Sequence, residues 1–276
     1  MFPKIFSLPS GFFLPTYGVL VAAAFLAAIA VTARLARRAG LNADDVTGLG
    51  INAALAGLIG AKLWMVVQNL PLYLRQPAEL FTLSTLQSGG VFFGGLLAAV
   101  AVTWWTIRSK KLPVRPTLDA FAPGIALGHA IGRLGCFAAG CCWGQTCDRS
   151  WAVTFHNRDA GELTGVPLDL PLHPTQLYEV ASQLVLFALL WTLYNRRMAG
   201  RLAPGQVFAV YLAGTSAARF VVDFFRAHDA APPFGGPLSI AQWVSLGLAA
   251  AGLFLFRCSP VPAASGNTPN PPVIRT

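Results

Sequence analysis

The sequence predicts an all-α, polytopic membrane protein with about seven transmembrane helices and a long extracytoplasmic loop after the fourth. Three observations carry that reading. Of 276 residues, 55% are hydrophobic and only 11% charged, with a mean hydropathy of +0.57, whereas soluble domains carry roughly 25% charged residues. Apolar runs of about 20 residues recur along the chain, each enough to cross roughly 30 Å of hydrocarbon. The runs show no two-residue alternation, and backbone groups in lipid must be satisfied within the segment, so the runs read as helices.

Taken in order, the spans lie near 14–34, 47–68, 89–108, 119–143, 174–195, 204–226 and 237–257. The first has no charged start or small-residue cleavage site and is expected to stay in the mature protein. Basic residues sort by side. Arg34, Arg37 and Arg38 follow the first span; Arg108, Lys110, Lys111 and Arg115 follow the third; Arg196, Arg197 and Arg201 follow the fifth. The alternate connections are poorer in net positive charge. The positive-inside rule therefore places the N-terminus outside and the C-terminus in the cytoplasm. The same distribution explains the net charge of +9 as topology, and no nucleic-acid partner is expected.

Residues 1–258 read as one transmembrane domain. The loop 144–173 is long enough to be a lid or binding loop, and alternation in TrpAlaValThrPhe points to a short strand within it. The proline-rich, polar tail 259–276 is expected to be a disordered cytoplasmic segment.

The chemistry concentrates in LGHAIGRLGCFAAGCCWG, residues 127–144. On a helix, His129, Arg133, Cys136 and Gly140 share one face, while Gly128, Gly132 and Gly135 form a neighbouring face that lets another helix approach closely. Counted from the cytoplasmic starts of their spans, Arg133 and Arg219 lie about 20–25 Å deep. Tyr17, Tyr178, Glu179 and Gln242 reach the same outer level from other spans. Two guanidiniums at one depth read as a clamp for a phosphate, through forked, charge-assisted donors. The plainer alternative is a pair of snorkelling arginines, with Arg219 satisfied by Asp223 at i+4. His129, one turn before Arg133, is a base or a core hydrogen-bonding histidine.

HisProThrGlnLeuTyrGlu, residues 173–179, reads as a helix entry with more polar groups, Gln176, Tyr178 and Glu179, than a cap needs. The paired glycines around 89–95, Gly94 and Gly95 among them, read as close helix packing or as room for a lipid head group. Cys136, Cys141, Cys142 and Cys147 follow the spacing C-x4-CC-x4-C. Structural pairing (Cys142 with Cys147, for example), inert burial, a thiolate activated by Arg133 and a loose metal set with His129 all fit that spacing. No C-x-x-C pair appears, and neither metal nor cofactor is expected.

Together these motifs resemble the prolipoprotein diacylglyceryl transferase family, from about Tyr17 to about Trp243. The resemblance rests on Tyr-Gly at 17–18, GlyAlaLys at 60–62, SerGlyGlyValPhePheGlyGly at 88–95 and GlyArgLeuGly-x-Phe-x-x-Gly-x-x-Trp-Gly at 132–144. HisProThrGlnLeuTyrGlu at 173–179, ArgPheValValAspPhePheArg at 219–226 and LeuSerIleAlaGlnTrp at 238–243 complete it. It implies a multi-pass enzyme of the bacterial inner membrane that moves a diacylglyceryl group from phosphatidylglycerol to a prolipoprotein cysteine thiol and releases glycerol phosphate. Arg133, Arg219 and Gly144 then belong to the lipid-phosphate machinery, with Cys141, Cys142, Asp223 and Gln242 at the substrate.

The chain also departs from that family. Cys136 stands where the family has asparagine, Cys141 where it has glutamate, Phe93 where many members have histidine, and Thr215 where they have tyrosine. His129 or Glu179 is then the proton acceptor. Two other readings follow: chemistry by the chain's own cysteines on another lipid or acceptor, and a lipid-binding protein without catalysis.

Overall fold

The structure, a computed structural model, describes residues 2–7, 13–82, 85, 90–227 and 236–259. Two strands, β1 (Lys4–Ser7) and β2 (Phe13–Pro15), pair antiparallel ahead of the first helix. The helices follow as α1 (Thr16–Arg38), α2 (Ala43–Gln68), the short α3 (Leu70–Arg75), α4 (Phe92–Ser109) and α5 (Val114–Ala139). A loop then carries β3 (Val153–Thr154), α6 (Arg158–Thr164) and β4 (Pro171–Leu172), before α7 (Thr175–Met198), α8 (Gln206–Asp223) and α9 (Ile240–Arg257). Among the described residues seven helices have 18 residues or more. Four of them, α1, α2, α7 and α9, are long and apolar enough to cross a membrane by length and composition. The β1–β2 hairpin was not legible in the sequence. The tail 260–276 and Ser88–Gly89 of the glycine motif lie outside the described residues.

The ends of α5 correct its expected span of 119–143. The helix starts at Val114, after Pro113, and stops at Ala139 because Gly140 takes a left-handed φ of +80°. Such a conformation is cheap for glycine and ends a helix by turning the chain away. Gly140 therefore does not share the His129–Arg133–Cys136 face.

α5 is the central helix. It packs along α1 and against α7 and α8, while α9 lies on α8, and α4 lies on α2. Its contact with α1 runs through glycines: a methyl at Gly128 would meet the Ala24 carbonyl at 3.1 Å, and one at Gly135 the Tyr17 ring at 3.3 Å. Gly132 departs from the expected small-residue face, since a methyl there would meet nothing within 4 Å.

The buried apolar core occupies one end of the bundle. Leu35 and Ala36 of α1, Val46 and Leu49 of α2, Ala120 and Ala122 of α5, and Leu190 and Tyr194 of α7 meet there. Beside it the fully buried Asp119 takes Arg197 Nε at 3.0 Å and accepts the backbone N–H groups of Gly205 and Phe208 at 2.7 and 2.9 Å. One carboxylate thereby neutralises an arginine and satisfies donors at the start of α8. The opposite end carries a separate small core, Phe155, Ala160, Val166 and Leu172, which folds the 144–173 loop on itself.

Candidate functional site

The end of the bundle under that loop is built around a second buried carboxylate. Glu179, in the second turn of α7, is 3% exposed and takes cations from two other segments. Arg133 Nε lies 2.6 Å from its Oε2, His129 Nε2 3.3 Å from the same oxygen, and Arg226 Nη1 3.3 Å from Oε1. Arg133 Nε also lies 3.4 Å from His129 Nε2. The i, i+4 spacing on α5 turns His129 and Arg133 toward α7 together, as the helical face implied.

Arg226 follows the end of α8 and is placed by backbone pairing. Gly144 bridges to Arg226, Gly144 N–H donates to His173 O at 3.0 Å, and Gln145 N–H donates to Phe225 O at 2.9 Å. Only glycine fits at 144, because a Cβ would collide with the Phe225 carbonyl and come within 2.6 Å of His173 Cβ. Gly144 thus acts through the placement of Arg226.

Arg219 pairs with the buried Asp223 one turn later at 2.8 Å, and Asp223 in turn accepts the Ser239 hydroxyl. Ser239 and Gln242 form the capping box of α9, which satisfies two of the donors left free at a helix start. Gln242 therefore supports Asp223 from behind, with its amide on the Phe220 carbonyl. Arg219 stands close enough to Glu179, Arg226 and Arg133 to interact with their charges. Three guanidiniums face two carboxylates, which leaves a net positive charge in a desolvated setting where Coulomb forces are screened little.

Beside Tyr178 opens a cavity of about 610 Å³ between α7 and α8, lined chiefly by Trp151, Ala218, Val221 and Phe225. Tyr178 OH accepts Trp151 Nε1 at 2.8 Å and shares a hydrogen bond with His173 Nδ1 at 2.9 Å, so loop and helix are tied at its edge.

The three cysteines also converge here. The Sγ atoms of Cys136, Cys141 and Cys142 all lie within 4.8 Å of one another, and Arg133 Nη1 is 3.9 Å from Cys136 Sγ. Gln176 Nε2 holds the Cys141 carbonyl at 2.8 Å and Thr175 Oγ1 the Cys142 carbonyl at 2.7 Å. Tyr17, half-exposed in the first turn of α1, packs beside Gly135.

The expected Cys142–Cys147 pairing is corrected, and the geometry adds local partners for Gly94, Gly95 and Gln176. All five cysteines carry free thiols: Cys147 is drawn into the loop, its N–H on the Pro171 carbonyl at 2.9 Å, while the Cys142 backbone is held at the start of α7, so the pair does not join. Gly94 and Gly95 sit in the α2–α4 contact, where a methyl at 94 would strike Trp64 and one at 95 would come within 2.8 Å of the Gly57 carbonyl. Both glycines allow the close α2–α4 approach. Gln176 faces the Cys141 backbone and positions it. The residue that sequence reasoning passed over is Arg226, which lies beyond the end of α8, where helical spacing gives no signal.

The residue pattern of the prolipoprotein diacylglyceryl transferases matches residues 3–258. This chain belongs to that family. Among curated relatives, one from Clostridium tetani is 30% identical over 243 residues, covering 87% of this chain and 91% of its own length. One from Bordetella parapertussis is 38% identical over 221 residues, 78% of this chain and 79% of its own. One from Geobacter sulfurreducens is 32% identical over 242 residues, 86% and 87% respectively. All three bear the name phosphatidylglycerol–prolipoprotein diacylglyceryl transferase.

Proposed function

We propose that this chain is a membrane transferase that moves a diacylglyceryl group from phosphatidylglycerol to the cysteine thiol of a prolipoprotein. The observation that carries the reading is the excess of guanidinium over carboxylate around Glu179, set beside an apolar cavity. A phosphodiester supplies the missing negative charge, and its acyl chains suit the cavity wall of Val221, Phe225 and Ala218.

Arg133 and Arg226, both held in place by Glu179, and Arg219, held by Asp223, receive the phosphate. These donors are fixed before substrate arrives, so they stabilise charge as it grows on the leaving glycerol phosphate without reorganising. Glu179 itself is engaged by two guanidiniums and the His129 imidazole and serves as their anchor. His129, beside the anchor, takes the proton of the acceptor thiol, since the thiolate is the nucleophile.

All seven long helices cross the bacterial inner membrane in this reading, with the N-terminus outside and the C-terminus in the cytoplasm. The arginine-rich connections cluster at the Asp119 end, where Arg38 meets Asn195 and Lys110 meets Asp45, in keeping with a cytoplasmic face. The Glu179 site then opens toward the outer leaflet, on the side where prolipoproteins emerge.

The test is transfer of labelled diacylglyceryl from phosphatidylglycerol to a cysteine peptide by purified wild type and Arg133→Ala. Labelled peptide from the wild type, with a loss of about 100- to 1,000-fold in the variant, is the expected result. Bound phosphatidylglycerol without turnover in the wild type would favour the binding-only reading.

A further inference from the structure

We propose that Cys136, Cys141 and Cys142 form a three-thiolate site for a zinc ion whose fourth position receives the acceptor thiol. The inference rests on the transferase reading and adds to it the group that holds the nucleophile.

The geometry comes first. A tetrahedral zinc site with Zn–S bonds of about 2.3 Å places its sulfurs roughly 3.8 Å apart. The three Sγ atoms here lie within 4.8 Å of one another, so small rotations about the side-chain bonds close the set without moving the backbone. That backbone is fixed. Gly140 and Cys142 both take left-handed φ angles, +80° and +63°, which turn the two loop thiols back onto Cys136 at the end of α5. Cys141 N–H donates to the Cys136 carbonyl at 3.0 Å, and the Gln176 and Thr175 side chains clamp the carbonyls of Cys141 and Cys142. A left-handed backbone at a residue other than glycine costs free energy and persists where the surrounding structure enforces it.

Charge and access agree with the geometry. The Arg133 guanidinium stands beside the set, its Nη1 3.9 Å from Cys136 Sγ, and a neighbouring cation favours the thiolate form that a zinc ion binds. Cys136 is buried, whereas Cys141 and Cys142 are half-buried, so one side of the set remains open to a fourth ligand. Three protein ligands with an open position are the pattern of catalytic zinc; structural sites use four.

The chemistry also excludes the competing use of these thiols. A diacylglyceryl group taken up by one of the chain's own cysteines would form a thioether, and a second thiol does not displace an unactivated thioether. A relay through them would stop there. A zinc ion instead binds the incoming thiol and releases its proton, so that an imidazole such as His129 suffices to accept it. The bound sulfur then attacks the glycerol carbon that carries the phosphate ester. The C–S bond forms as the C–O bond breaks, and the electron pair stays on the phosphate oxygen held by Arg133 and Arg226. The proton passes from His129 to the departing glycerol phosphate. The thioether product is neutral and a poorer ligand, so it leaves the metal.

The test uses the full chain in detergent, purified under reducing conditions and stripped with a chelator. Co²⁺ and Zn²⁺ are titrated in, cobalt being read by its thiolate charge-transfer absorption and tetrahedral ligand-field bands. The expected result is one ion per chain and bands that change when a cysteine peptide, but not its serine counterpart, is added. Cys136→Ser, Cys141→Ser and Cys142→Ser should each weaken zinc binding by more than the roughly 10- to 100-fold typical of an outer partner. Cys147→Ser and Cys258→Ser should leave it unchanged.

Thiolate bands absent from the wild type, or surviving the triple serine variant, would overturn the site. So would a protein that takes no metal when reduced but closes a disulfide among the three thiols with oxidised glutathione. Bands indifferent to the cysteine peptide would overturn the role of the fourth position. Transfer by metal-free protein would sink the inference and leave the transferase reading intact, whereas peptide-sensitive metal binding without any transfer would do the reverse.

Discussion

At one end of the bundle Asp119 ties α5 to α7 and α8; at the other, Glu179 ties the same α5 and α7 to the segment that follows α8. Both carboxylates are buried, and both hold arginine. Asp119 meets one guanidinium and two backbone N–H groups, so its charge is closed and the large apolar core packs around it. Glu179 meets two guanidiniums and a histidine, with the Arg219–Asp223 pair close by and a cavity alongside. A closed pair serves packing. An open one, with positive charge left over, suits the phosphodiester of the proposed function. In that reading a buried ion pair acquires a function from what its neighbours leave unbalanced.

Substitutions at the two ends should separate stability from activity. The largest effect belongs to Asp119→Ala. Removing one partner of a buried pair leaves Arg197 uncompensated, and the expected loss is about 3–5 kcal/mol, read as a lowered midpoint in thermal or denaturant unfolding of the purified protein. Transfer per folded molecule should stay close to wild type. An equal loss of specific activity would mean that the two ends are coupled and that the division drawn here is wrong.

Glu179→Gln comes next. It frees Arg133 and Arg226 from their anchor, so transfer should fall by about 100-fold while phosphatidylglycerol remains bound. A variant that turns over normally would show that the arginines need no anchor. Gly144→Ala should cost about 10- to 100-fold by displacing the strand crossing that sets Arg226. A crystal or cryo-EM structure of that variant, or simply its rate, distinguishes the positioning role from a direct contact with substrate. The smallest effect is Gly132→Ala. Its neighbourhood is open and its backbone helical, so the change should stabilise the protein by about 0.4–1 kcal/mol and leave transfer unchanged.

Much of this was legible in the sequence. Apolar runs announced a mostly helical membrane chain, four of whose helices are long and apolar enough to cross a membrane, because a span must be about 20 residues long and satisfy its own backbone. Helical spacing put His129 and Arg133 on one face, and intramembrane charge marked Arg133, Glu179, Arg219 and Asp223 for attention. The rest depended on features that spacing does not encode. The turn at Gly140 ended α5 early and brought Cys141 and Cys142 back onto Cys136, a convergence that C-x4-CC does not display. Gly94 and Gly95 could be assigned to packing only once Trp64 and Gly57 were seen against them. Arg226 was hidden because it lies beyond its helix and is carried to Glu179 by a loop crossing at Gly144. Arg197 read only as a topological charge, and its partner Asp119 emerged once the fold joined them.

The most direct measurement is the binding of phosphatidylglycerol to the purified full chain, compared for wild type, Arg226→Gln and Arg197→Gln, with uncharged diacylglycerol as the competing lipid. If positive charge left over around Glu179 recognises the phosphodiester, Arg226→Gln should abolish the preference for phosphatidylglycerol over diacylglycerol, and the Arg197→Gln protein that folds should retain it. A preference that survives Arg226→Gln, or that depends equally on Arg197, would contradict the account.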